Sequence, residues 1–141
     1  MADKKVVIID DNAQNRYILK TVFKLFGPNS QIEIAEGSSA VKSVEFIRSE
    51  RPDLVLMDIR MEREDAGIEA VKVLKKLPEL KGTKYWAVTA LASEEDKERC
   101  LEAGFDFYLP KPVDQVKILE RFSSEFNIDI PPKVKKRMGI I

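Results

Sequence analysis

At 141 residues and 44% hydrophobic content, the chain is long enough to bury one ordinary core and needs no disulfide staple. Its 24 basic and 24 acidic residues cancel, so no global field draws it toward nucleic acid or an anionic membrane, and no segment reaches the roughly 18 apolar residues of a membrane helix. The absence of histidine excludes a histidine base, imidazole metal ligands and a phosphohistidine of its own, and the lone Cys100 cannot close an internal disulfide, which fits a reducing cytoplasm.

Short runs rich in β-branched residues alternate with longer amphipathic stretches, the pattern of βαβ units feeding a parallel sheet. The first strand is expected over residues 6–9. A helix follows in which Leu19, Val22, Phe23 and Phe26 share one face, and Gly27-Pro28 stops it. A second strand at 32–35 leads to a helix with Ala40, Val44 and Ile47 inward. A third at 54–57 precedes Ile68, Val71 and Leu74, and a fourth at 85–88 precedes a helix capped by Ser93 three residues before Asp96. The fifth strand, 107–109, leads into Ile118, Leu119, Phe122 and Phe126. Trp86 reads as core filling and Cys100 as a buried small hydrophobe. Residues 5–126 form one domain on this reading. Residues 127–141, with Pro131-Pro132 and then Lys133, Lys135, Lys136 and Arg137, read as a short solvated tail with no output domain. A basic patch for an acidic partner is the alternative there.

In an open parallel sheet the chemistry gathers beyond the carboxyl ends of the strands. Asp10 and Asp11 follow the first strand, Asp58 ends the third, Thr89 ends the fourth and Lys111 follows the fifth. The second strand offers only Ala35 and Glu36, which suits an edge strand in the order 2-1-3-4-5. Three crowded carboxylates repel by about 4 kcal/mol per pair at about 4 Å and an effective dielectric near 20. Lys111 offsets part of that, and an all-oxygen acidic pocket with open positions is what Mg²⁺ favours. Taken alone, the Asp10-Asp11 pair has a blander reading as a helix cap and a first-turn acid.

The runs Val-Val-Ile-Ile-Asp10-Asp11-Asn12 and Asp53-Leu-Val-Leu-Met-Asp58-Ile-Arg60-Met61, the pair Thr89-Ala90 and the run Tyr108-Leu-Pro-Lys111-Pro112 together resemble the response-regulator receiver family. The resemblance spans about 5–126 and implies a flavodoxin-like, doubly wound sheet of five parallel strands. It further implies a phosphoacceptor at Asp58, with Mg²⁺ held by Asp11, Asp58 and the main-chain carbonyl of Arg60, and Asp10 acting largely through water. Thr89 and Lys111 would grip the phosphoryl oxygens, Lys111-Pro112 would be cis, Tyr108 would be the switch aromatic coupled to Thr89, and Arg60 and Leu91 would set the phosphorylated lifetime. The donor would be a sensor histidine kinase or a histidine phosphotransfer protein, docking on a rim of Asn15, Ile18 and Pro112, unless Ile18 merely packs against the fifth helix. The protein would catalyse only its own phosphorylation and dephosphorylation, as a monomer or weak phosphorylation-dependent dimer, with its downstream target unspecified. Two departures stand out: no proline follows Met61, and Gly67 comes about one residue late, so the loop after Asp58 is expected to be longer and more mobile.

Two other functions compete. An aspartate-based phosphohydrolase would carry a second acid two residues after its nucleophile, where this chain has Arg60. A degenerate receiver would bind partners without phosphorylation, but all five site residues are present.

Overall fold

The computed structural model describes residues 4–90 and 93–141. Strands β1 (Lys4–Ile9), β2 (Ile32–Gly37), β3 (Leu54–Asp58), β4 (Lys84–Thr89) and β5 (Phe107–Pro110) alternate with helices α1 (Ala13–Lys24), α2 (Ala40–Glu50), α3 (Ala66–Leu74), α4 (Glu94–Ala103) and α5 (Gln115–Phe126), and α6 (Pro132–Met138) follows. The five strands pair in parallel in the order β2-β1-β3-β4-β5, as the sequence leads one to expect. Each strand extends the sequence reading by one or two residues, because the residues flanking the apolar runs still pair with their neighbours.

Both faces of the central strands are covered, which is why their sequences are apolar without alternation. Val6, Ile8, Leu54, Leu56, Trp86 and Val88 face one core with Leu19, Val22 and Phe23 of α1 and Ile118, Leu119 and Phe122 of α5. Val7, Ile9, Val55, Met57, Tyr85 and Ala87 face the other core with residues of α2, α3 and α4. Trp86 fills the first core with its ring edge against Phe107, and its indole N–H donates to Glu125 at 3.1 Å. Cys100 is buried in the second core, where desolvation pushes its thiol up to about 11 and keeps it inert. Val44 and Phe126 are only half-buried, at the margins of their helix faces. Ser93 accepts from the Asp96 N–H at 3.0 Å and caps α4 as expected.

The reading of 127–141 as a solvated tail is corrected. Ile130 and Val134 are buried against the α1/α5 core, and Ile128, Met138 and Ile140 pack beside them. Ile130 just before α6, and Val134 and Met138 on it, form an apolar ridge that the surrounding lysines and the two prolines obscure in the sequence. Pro132 stands at the first position of α6, where its missing N–H costs nothing. Truncation after Asn127 is expected to cost about 3–6 kcal/mol, from about 1.5–3 kcal/mol per fully buried aliphatic side chain. Urea denaturation checks this, and an unchanged midpoint contradicts it.

Candidate functional site

Asp10 is carried immediately beyond β1, whose ladder to β2 ends with the Asp10 N–H donating to the Gly37 carbonyl at 3.1 Å. Its side chain is turned inward, 1% exposed, and accepts from the Asn12 N–H at 2.9 Å and from Lys111 Nζ at 3.0 Å. Asp11 is exposed. Asn12, not the acid pair, caps α1, by accepting from the Asn15 N–H at 3.0 Å. The bland reading of Asp10 and Asp11 as a helix cap therefore fails, and the two carboxylates are left to the pocket.

Asp58 closes β3 at 6% exposure, and Thr89 closes β4 at 1%. Lys111 follows β5; its backbone N–H donates to the Thr89 carbonyl at 2.8 Å, and its Nζ lies 3.4 Å from Asp58. The Lys111-Pro112 peptide is cis. Carboxylate oxygens of Asp10, Asp11 and Asp58 all lie within 4.8 Å of one another. Burial, and then the charge of Asp10, push the Asp58 carboxyl up to about 6, with Lys111 opposing and Asp11 adding to the rise. One ammonium among three carboxylates leaves the pocket short of positive charge. A divalent cation with oxygen ligands fits that deficit and that spacing.

The loop after Asp58 is better anchored than its sequence suggests. Gly67 donates its N–H to the Ile59 carbonyl at 2.8 Å, and a Cβ at residue 67 would stand 2.1 Å from the Asp58 carbonyl oxygen. Only glycine permits that approach. Glu62 accepts from the Ser39 hydroxyl at 2.6 Å and from the Ala40 and Val41 N–H groups at 2.9 Å each. Although desolvation pushes the other way, these hydrogen bonds hold the Glu62 carboxyl down at about 2. Asp65 pairs with Arg99 of α4 at 2.5 Å. The loop expected to be mobile is thus tied to helices on both sides. Sequence reasoning missed Glu62 because its partners lie 21 to 23 residues away.

The remaining candidates fall around this centre. Arg60 is exposed, with its guanidinium 3.9 Å from Glu64. Leu91 lies outside the described residues. Tyr108 stands opposite Ala87 in the β4–β5 ladder, half-buried; burial pushes its phenol up, and its hydroxyl has no hydrogen-bond partner among the described residues. Asn15, Ile18 and Pro112 line one cavity of about 160 Å³ together with Leu19, Val88, Lys111 and Val113. Ile18 is 39% exposed, so it is not consumed by packing against α5.

The arrangement has known counterparts. The family model of the response regulator receiver domain matches residues 6–123. The polar-differentiation response regulator DivK of Brucella anthropi is 32% identical over 121 residues, covering 86% of this chain and 94% of that protein. A CheY-like receiver domain protein from Methanospirillum hungatei superimposes with a TM-score of 0.72 at 28% identity, covering 89% of this chain and 94% of that one. The receiver domain of a sensor histidine kinase from Pseudomonas aeruginosa, solved with a magnesium ion in its active site cleft, gives a TM-score of 0.76 at 23% identity over 89% of this chain and 99% of that one. With the fold, the strand-end carboxylates and the family match in agreement, the chain belongs to the response regulator receiver domains of two-component signalling.

Proposed function

We propose that Asp58 is the phosphoacceptor of this receiver and that the protein catalyses only the gain and loss of its own phosphoryl group. The observation that carries this is the meeting of Asp10, Asp11 and Asp58 within 4.8 Å beside the Lys111 ammonium. Asp11, Asp58 and the Arg60 main-chain carbonyl are the proposed Mg²⁺ ligands, with Asp10 acting through water; the magnesium-bound Pseudomonas aeruginosa receiver supports that choice of ion. When bound, Mg²⁺ neutralises phosphoryl oxygens and holds the donor in line.

The chain's own groups do the rest. An Asp58 carboxylate oxygen attacks phosphorus as the bond to the donor's imidazole nitrogen, or to the acyl oxygen of acetyl phosphate, breaks, and the leaving group departs with the electron pair. Lys111 offsets the charge on the phosphoryl oxygens, and the Thr89 hydroxyl orients them. Attraction of Thr89 to the phosphoryl group then biases Tyr108, which reports the state through the β4–β5 side. The intact carboxylate cluster disfavours a receiver that works only without phosphorylation. Formation of a Mg²⁺-dependent beryllofluoride adduct tests the reading; a chain that forms none lacks the proposed pocket chemistry.

The proposed donor is a sensor histidine kinase or a histidine phosphotransfer protein in the cytoplasm, since this chain has no histidine. Among the described residues no helix is long and apolar enough to cross a membrane. The partner helix would lie on the rim of Asn15, Ile18 and Pro112 beside the acceptor. Ile18→Glu is expected to slow transfer from the protein donor by about tenfold or more, roughly the loss of one buried aliphatic contact, while labelling by acetyl phosphate is unchanged. Parallel phosphotransfer assays with the two donors check this, and equal rates for parent and variant with the protein donor move the docking surface elsewhere.

A further inference from the structure

We propose that Glu62 is a positioning residue for the metal: its carboxylate pins the loop after Asp58 to the start of α2 and so holds the Arg60 main-chain carbonyl in place for the cation. The inference rests on the reading of Asp11, Asp58 and Arg60 as Mg²⁺ ligands, and extends it to a side chain outside the pocket.

The residue after Met61 is Glu62, not the proline that the receiver resemblance leads one to expect there. Proline would fix one backbone torsion of the loop, and glutamate leaves it free. The ends of the loop are held without help, because Ile59 is buried and its carbonyl accepts from the Gly67 N–H at 2.8 Å. Within the apex the Arg63 carbonyl accepts from the Met61 and Ala66 N–H groups at 3.2 Å each, and the Arg63 guanidinium bonds Glu69 of α3, but none of these bonds reaches α2. Glu62 supplies the tie to α2 from its side chain, through the Ser39 hydroxyl and the Ala40 and Val41 N–H groups. Those amides belong to the first turn of α2, where N–H groups have no helical acceptor and favour negative charge. The bonds are charge-assisted, and Ser39 still caps α2 by accepting from the Lys42 N–H at 3.2 Å. At the other end of the loop Asp65 is tied to Arg99 of α4.

Arg60 lies two residues before Glu62, so only a few backbone torsions separate the tie from the carbonyl. With the tie released, the carbonyl samples other orientations, and binding the cation must order it first. A role confined to stabilising α2 instead predicts a lower melting temperature with unchanged metal affinity.

Mg²⁺ titration of the full chain by calorimetry, with native-state hydrogen exchange at Ala40 and Val41, separates the two. Glu62→Ala is expected to weaken Mg²⁺ about tenfold, the lower end of the range for groups that orient metal ligands, and to speed exchange at both amides in the metal-free protein. Ser39→Asp keeps an acceptor for the Lys42 N–H but sets a second carboxylate against Glu62. It is expected to weaken Mg²⁺ by about the same tenfold factor while α2 stays capped, and it carries the test if Glu62→Ala does not fold. Glu64→Ala, whose exposed side chain lies 3.9 Å from the Arg60 guanidinium, is expected to keep the parent affinity. Parent-like affinity in a folded Glu62→Ala or Ser39→Asp chain overturns the proposal. Absence of Mg²⁺ binding by the unsubstituted chain overturns the site reading beneath it instead.

Discussion

Asp58→Asn is expected to take up no phosphoryl label from acetyl phosphate in the presence of Mg²⁺, a loss of at least about a thousandfold, as befits removal of the nucleophile rather than of a helper. The amide keeps the size and the burial of the side chain at the end of β3, so the loss is chemical and not a failure to fold. Asp11→Ala behaves differently. It leaves the nucleophile in place and removes a proposed ligand from the exposed side of the pocket, so labelling falls because metal binds more weakly, with the half-saturating Mg²⁺ raised about tenfold or more. Raising Mg²⁺ therefore restores labelling to the Asp11→Ala chain and never to the Asp58→Asn chain. Stoichiometric labelling of the Asp58→Asn chain contradicts the assignment.

The same substitution is expected to stabilise the metal-free protein. The Asp58 carboxyl sits at about 6 in the folded chain, above its ordinary value of 3.8, so the folded state binds that proton more tightly than the unfolded one. Stability from this group is therefore greatest below about pH 4, falls as pH rises toward about 6, and stays low above that. Asparagine takes no proton and carries no charge. At pH near 7 the Asp58→Asn chain should exceed its parent by about 2–3 kcal/mol, about 1.4 kcal/mol for each pH unit of displacement, and the difference should close on acidification. Cation binding opposes this difference: a ligand present at about 100 times its dissociation constant adds about 2.7 kcal/mol to the fold that binds it, enough to close the gap, and the parent should gain far more than the variant. Urea denaturation of both chains across this pH range, with and without Mg²⁺, reads all of it. A parent more stable than Asp58→Asn in the absence of metal contradicts the repulsive pocket.

Much of this was legible in the amino-acid sequence because it depends on local periodicity and on one topological rule. Leu19, Val22 and Phe23 mark the inner face of α1 by spacing alone, Phe26 continues that face just beyond the end of the helix, and all four are buried. The runs of β1 and β3 lack alternation because both sheet faces are covered, and a parallel sheet read from such runs puts Asp10, Asp58, Thr89 and Lys111 at neighbouring strand ends. What was not legible depends on contacts distant in sequence. Glu62 has no local signature, because its amide partners become available only once α2 starts beside the loop. Asn12 was hidden behind the two aspartates whose chemistry drew the attention to themselves. The ridge of Ile130, Val134 and Met138 is diluted by lysines and by Pro131-Pro132, and its burial depends on the surface that α1 and α5 offer together.

The test of the whole account is to locate the phosphoryl group itself. The unsubstituted chain, incubated with acetyl phosphate and Mg²⁺, is trapped by borohydride reduction of its acyl phosphate, digested and mapped by mass spectrometry. One modified residue is expected, Asp58, reduced in proportion to the label, with no modification when Mg²⁺ is chelated. Modification at another residue, or none at all in a chain shown to bind Mg²⁺, contradicts it.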